Sequence, residues 1–111
     1  MRAGRWLDWI PWPWRKWRVV VTVEAADEIP RRLPKHGAAL VLRAGRPTWI
    51  AFECPCKRGH QIMVNLDKAR SPKWELTNRS PLTLAPSIND AAGGRRCHFF
   101  VRKGRIRWVY D

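Results

Sequence analysis

The sequence predicts a small, mainly β domain, built as one antiparallel sheet or a partly open barrel of six to eight short strands. Its 111 residues correspond to a single domain, and 45% of them are hydrophobic, which is enough for a core. Nine prolines and seven glycines divide the chain into short segments, which argues against long helices. Between these breaks lie runs rich in β-branched and aromatic residues, which favour strands.

The N-terminal segment differs from the rest of the chain. Residues 1–17, MRAGRWLDWIPWPWRKW, contain five of the eight tryptophans, and Pro11 and Pro13 prevent a continuous helix. We therefore predict an arm over residues 1–16 and a β domain over 17–111. Trp-rich cationic segments of this kind occur in membrane-active peptides. The alternative, which we favour, is an arm that packs its indoles on the domain or on a partner.

The predicted strands follow the arm in order. WRVVVTVE is rich in β-branched residues, and each later run is bounded by glycine, proline or polar turn residues. The segment 27–37 contains two prolines and a closing glycine, so we expect a loop with one helical turn. The predicted strands are 17–24, 38–43, 48–53, 60–66, 71–77, 82–88, 97–102 and 105–110.

The last two strands form the clearest predicted hairpin. CHFFVR and RIRWVY flank Lys103-Gly104, a favourable two-residue turn. The predicted pairs are Arg102 with Arg105, Val101 with Ile106, Phe99 with Trp108, and Cys97 with Tyr110. Because side chains alternate along a strand, one face of this hairpin is apolar and belongs to the core. The other face carries His98, Phe100, Arg102, Arg105 and Arg107.

The charge of the chain is strongly basic. It has 22 Lys and Arg against 9 Asp and Glu, a net charge of +13. Such a balance indicates acidic protein partners or nucleic acid, or simply a well-solvated basic surface. No apolar run is long enough to span a membrane, and the N-terminus is a poor signal peptide. With three cysteines, an odd number, we expect a reducing, cytoplasmic setting.

A possible metal site comes from the three cysteines and one histidine. Cys54, Cys56, His60 and Cys97 make a Cys₃His set, which is typical of structural zinc. The single residue between Cys54 and Cys56 is fewer than the usual two to four. The alternatives are buried thiols, a disulfide between Cys54 and Cys97, or a catalytic cysteine activated by His60 or His98.

A second constellation lies in LAPSIND. Ser87 follows a proline near a strand end, and a serine becomes a nucleophile when a histidine reaches it. His98 lies on the next strand and points away from the face of Cys97. Asp90 or Asn89 is a candidate to orient its imidazole, and a plain turn is the alternative for Pro86-Ser87.

The order of AFECPC, GHQIMVNL, PKWELT, LTLAPSI and CHFFVRKGRIRW resembles bacterial domain-of-unknown-function family 6527, over roughly residues 20–110. Its members resemble accessory peptidases of bacterial ubiquitin-like conjugation operons. The resemblance implies a peptidase-like hydrolase that processes or removes a ubiquitin-like protein, with conjugation enzymes as further partners. It implies Ser87 as nucleophile and His98 as base. The commoner pattern has cysteines where Arg58 and Arg95 stand here. This departure implies a metal site that is either rearranged, with Cys97 and His60 compensating, or lost.

The sequence is therefore consistent with three functions. The first is a serine hydrolase acting through Ser87 and His98, with Asp90 as the orienting residue. The second is a non-catalytic, zinc-stapled module whose basic face binds a partner protein or nucleic acid. The third is membrane action through the arm. The position of His98 separates the first two: it lies either against Ser87 or on an open basic face.

Overall fold

The structure, a computed structural model, describes residues 16–91 and 96–110. The predictions for residues 1–15 therefore lie outside the described residues. Eight strands confirm the mainly β class, and a single 3-10 turn, Ala26–Glu28, occupies the predicted loop. None of the helical structure in 16–91 and 96–110 has the length or apolarity to cross a membrane. The strands are β1 (Arg18–Val23), β2 (Gly37–Arg43), β3 (Arg46–Glu53), β4 (Gln61–Asn65), β5 (Glu75–Arg79), β6 (Leu82–Asp90), β7 (Cys97–Arg102) and β8 (Arg105–Trp108).

The strands form two four-stranded sheets. Their orders are β1-β2-β3-β4 and β5-β6-β7-β8, so neighbours in sequence are neighbours in space. All pairs are antiparallel except β1 and β2, which are parallel. A parallel pair needs a crossover connection of about a dozen residues, and the long segment 24–36 supplies it. The pairing is therefore mainly antiparallel, as predicted, with this one parallel pair.

The two sheets share one hydrophobic core. Fully buried side chains come from both sheets, including Ile50 and Phe52 on β3 and Leu84 and Phe99 on β6 and β7. The rings of Phe52 and Phe99 meet edge to face across the sheets, with centroids 6.4 Å apart. Edge-to-face packing is favourable for aromatic rings, so this contact helps to hold the sheets together.

The final hairpin has the predicted register except at its open end. Phe99 pairs with Trp108 and Arg102 with Arg105, as expected. Tyr110, however, is 89% exposed, so its assignment to the core face is wrong. β8 ends at Trp108, and Cys97 pairs with Asp90 on the other side of β7. The strand predicted at 71–77 is also displaced, and lies at Glu75–Arg79.

Backbone hydrogen bonds join the beginning of the described chain to the second sheet. Trp17 N–H donates to the carbonyl of Gly104 at 2.8 Å, and Leu82 N–H donates to the carbonyl of Trp17 at 2.8 Å. Gly104 N–H donates to the carbonyl of Leu82 at 2.7 Å, which closes the set. Gly104 has φ +76°, and a Cβ there would lie 2.6 Å from Cβ of Lys16. This position therefore requires glycine for both its conformation and its close packing.

Candidate active site and metal centre

The pairing of β6 with β7 places two groups of reactive side chains on opposite faces of one sheet. Asn89 pairs with His98, and Asp90 pairs with Cys97. Side chains alternate along a strand, so His98 points to the outer face while Cys97 points to the core. His98 is half-buried and Cys97 is buried, as the sequence predicted.

Ser87 and His98 come together on the outer face. Ser87 Oγ and His98 Nε2 lie 2.9 Å apart, which is hydrogen-bond distance. The register between β6 and β7 shifts between Leu84 and Ile88, so β6 bulges just before Ser87. Pro86 has no N–H to give to the ladder and is compatible with such a bulge. Bulges redirect side chains and are common next to active sites, and this one precedes the hydroxyl that reaches His98.

The backbone of Ser87 is fixed by a tryptophan from the preceding connection. Trp74 Nε1–H donates to the carbonyl of Ser87 at 3.1 Å. The same indole packs against the core, and Trp74 N–H donates to the carbonyl of Asn65 at 2.8 Å. This role could not be predicted from the sequence, because the residues around Trp74, expected to form a strand over 71–77, carry no signal of its hydrogen-bond partner.

The predicted metal ligands come together on the inner face. The ligand atoms of Cys54, Cys56, His60 and Cys97 all lie within 4.8 Å of one another. Cys54, Cys56 and His60 lie within the connection from β3 to β4, where Cys54 N–H donates to the carbonyl of His60 at 2.9 Å. All three cysteines are free thiols, so the disulfide alternative is wrong. Three sulfurs and one imidazole form a donor set that fits a tetrahedral metal.

The environment of His60 also fits metal binding. Its Nε2 atom lies 3.1 Å from Cys56 Sγ, facing the cluster, and its Nδ1 atom lies 3.4 Å from Asp90 Oδ2. His60 Nδ1 and Asp90 Oδ2 are both buried, and within the described residues neither atom has a hydrogen-bond partner. Metal-binding histidines commonly direct their second nitrogen at a carboxylate, which fixes the ring and its tautomer. Asp90 occupies that position here.

This placement corrects the expectation for Asp90. We expected its carboxylate to orient His98, but strand alternation puts the two side chains on opposite faces. Asp90 is three residues after Ser87, and this odd spacing in a strand could have indicated the opposite face. A serine nucleophile also needs backbone N–H donors for an oxyanion, and from the sequence we expected them in a turn over 88–94. Ile88 to Asp90 belong instead to β6, and 92–95 lie outside the described residues.

Burial raises the pKa of two of the three cysteine thiols, Cys54 and Cys97. Removal from water raises the pKa of Cys54 far above its usual range, and it raises the pKa of Cys97 in the same direction. These thiols are therefore poor nucleophiles by themselves, because the thiolate is the reactive form. A metal would have to displace their protons in order to bind.

A serine hydroxyl at hydrogen-bond distance from an imidazole is the nucleophile–base pair used by serine hydrolases. Comparison with protein families agrees with this class. The family BubE, described as "Bacterial ubiquitination-like system serine protease", matches residues 25–109. The chain therefore belongs to the BubE family. No curated protein and no solved structure matches the chain significantly.

The family confirms the resemblance found in the sequence motifs and gives the general setting. It is a protease family of bacterial ubiquitination-like systems, which indicates a ubiquitin-like partner. The match begins at residue 25 and covers both constellations. It leaves out residues 1–24, and the division into an arm over 1–16 and a domain over 17–111 stays a prediction.

Proposed function

We propose that this protein is a serine peptidase that cleaves an amide or ester bond at the C-terminal tail of a ubiquitin-like protein. Ser87 is the nucleophile and His98 is the general base. The observation that carries the proposal is the 2.9 Å distance between Ser87 Oγ and His98 Nε2. The membership of a serine protease family supports the same pair.

The proposed reaction has two halves. In the first, Ser87 Oγ attacks the carbonyl carbon of the substrate while Nε2 of His98 accepts the hydroxyl proton. The tetrahedral intermediate collapses, the bond to the leaving amine or alkoxide breaks, and His98 returns the proton to that leaving group. In the second half, water attacks the acyl-serine ester and gives its proton to Nε2. The carboxylic acid product leaves, and His98 reprotonates Ser87.

The surroundings of the pair suit this reaction. The sheet fixes His98 between its neighbours on β7, and the hydrogen bond from Trp74 holds the carbonyl of Ser87. A hydroxyl is a weak nucleophile without a positioned base, so this fixed geometry matters for the rate. Both side chains are only partly buried, which leaves them accessible to a protein substrate from the outer face.

We also propose that Cys54, Cys56, His60 and Cys97 hold a structural zinc ion. Four protein ligands would complete a tetrahedral shell and leave no open position for a substrate, unlike a catalytic zinc site. When bound, zinc would supply folding free energy by tying the β3–β4 connection to β7. None of the proposed reaction steps uses the metal.

The test is cleavage of the ubiquitin-like protein of the same bacterial system, extended at its C-terminus by a fluorescent reporter. Ser87→Ala and His98→Ala should each lower cleavage by about 10³-fold or more, and the double variant by little further, because the two residues act as a unit. Ser71→Ala, an exposed serine that also adjoins a proline, is the matched control and should cleave normally.

A fluorophosphonate probe identifies the nucleophile independently. We expect mass spectrometry to find its adduct on Ser87 in the wild-type protein and no labelling in His98→Ala. Equal cleavage by wild type and Ser87→Ala would rule out the serine. If the wild-type protein neither cleaves the fusion nor reacts with the probe, the non-catalytic binding module becomes the better reading.

A further inference from the structure

The outer face of the last hairpin continues directly from the Ser87–His98 pair. Phe100 and Arg102 follow His98 at alternate positions on β7, and they pair with Arg107 and Arg105 on β8. All four side chains therefore share the outer face with His98. We call this set, Phe100, Arg102, Arg105 and Arg107, the arginine strip.

The positive charge of the strip is not neutralised by the described protein. All three arginines are exposed, and no carboxylate in residues 16–91 or 96–110 forms an ion pair with any of them. Clustered like charges without counter-ions raise the local potential and attract a negatively charged partner. Arginine also suits carboxylates, because its planar guanidinium makes paired hydrogen bonds to them.

Protection of the sheet edge against pairing with other chains explains the presence of only two of the three arginines in the strip. β8 is an edge strand, and charged residues there discourage pairing with other chains. That reason applies to Arg105 and Arg107. It does not apply to Arg102, which lies on β7 inside the sheet.

The geometry favours an acidic polypeptide over nucleic acid. The guanidinium of Arg102 lies 4.4 Å from the centroid of the Phe100 ring, so it takes a ring face that a nucleobase would need for stacking. Strand residues advance about 3.3 Å each, which puts Arg102 roughly 13 Å from His98. An extended peptide leaving the Ser87 site would cover that distance with about four residues.

We propose that the arginine strip binds an acidic segment of the protein substrate, within a few residues of the bond that Ser87 attacks. This inference rests on the proposed function for the identity of the substrate. The strip selects substrates by charge and extended shape, whereas Ser87 and His98 carry out the chemistry.

Binding can be measured without cleavage in the Ser87→Ala background. The probe is the reporter-extended ubiquitin-like protein, and its Kd is compared for Arg102→Glu/Arg105→Glu and for Arg43→Glu/Arg46→Glu. The second pair is a matched control, because Arg43 and Arg46 are exposed and pair across the equivalent turn of the other sheet. Thermal unfolding of each variant verifies that it is folded.

The strip variant should bind about tenfold or more weakly, with binding that becomes less sensitive to salt. The control variant should keep the Kd of the parent to within a few-fold. The proposal would be overturned if both variants bound the probe equally weakly, or if neither bound it more weakly than the parent. Strip-dependent binding of single-stranded DNA, without binding of the ubiquitin-like protein, would also overturn it. Strip-dependent binding of the protein without cleavage by wild type would refute the catalytic proposal alone.

Discussion

The two faces of the β6–β7 strand pair carry different kinds of chemistry, although their key residues are neighbours in the chain. On the outer face Ser87 and His98 are partly accessible and 2.9 Å apart. On the inner face Cys97 joins two cysteines and a histidine that come from the first sheet. The difference is that an outer change should remove activity and spare the fold, while an inner change should remove the fold.

The largest expected effect is the loss of the inner cluster. Cys97→Ser, or a strong chelator, should lower the free energy of unfolding by several kcal/mol and leave much of the protein unfolded, because structural zinc binding supplies folding free energy of about 10 kcal/mol or more. Elemental analysis should find one zinc per chain, and circular dichroism should follow the melting. Ser87→Ala should melt as wild type does. A metal-free protein with an unchanged melting temperature in chelator would support the buried-thiol alternative instead.

A smaller effect, on zinc affinity, is expected at Asp90, and it tests whether this residue acts on the inner or the outer face. Asp90→Asn should reduce zinc affinity about 10- to 100-fold, because it weakens the group that orients His60. Competition with a chromophoric chelator measures this affinity, and cleavage should persist when zinc is in excess. Asp27→Asn is an exposed control. If cleavage fell as in His98→Ala while zinc affinity held, Asp90 would act on the outer face after all.

Trp74 tests how firmly the outer face must be held. Trp74→Phe keeps an aromatic ring but removes the Nε1–H donor to the Ser87 carbonyl, so we expect a loss of about 1 kcal/mol in the free energy of unfolding. Cleavage should fall by about fivefold. Trp49→Phe, on the other sheet, is the control. An identical rate in both variants would show that the bond does not position the serine.

The smallest effect is expected from the arm. Deletion of residues 1–16 should leave the melting temperature within a few degrees of that of the full chain, since the buried Trp17 and everything after it are retained. Urea unfolding of the two proteins checks this expectation. A deletion that unfolds the domain would place the arm's indoles in the core.

The sequence predicted more of the site than of the sheet arrangement. The alternation of side chains along a strand was enough to predict that Cys97 and His98 point to opposite faces. The residue types, three cysteines and one histidine, were enough to predict the four members of the inner cluster. The residues alone left Ser87 with His98 as one alternative, because Pro-Ser pairs usually mark turns, and the family resemblance favoured this pair. The bulge before Ser87 could not be predicted, since the register of β6 depends on side-chain packing with β7. The parallel β1–β2 pair was missed because strand direction depends on the path of the 24–36 connection.

The hydrogen-bonded set of Trp17, Leu82 and Gly104 has a consequence for how the protein is made. Trp17 precedes β1, yet its partner Gly104 lies in the turn between β7 and β8. At ribosomal rates of roughly 5–20 residues per second, the backbone N–H of Trp17 waits several seconds for its partner Gly104 to be synthesised. The domain therefore completes its folding as one unit only after residue 104 has been synthesised. A chain that stops before residue 104 would lack the partner of the Trp17 N–H and of the Leu82 carbonyl.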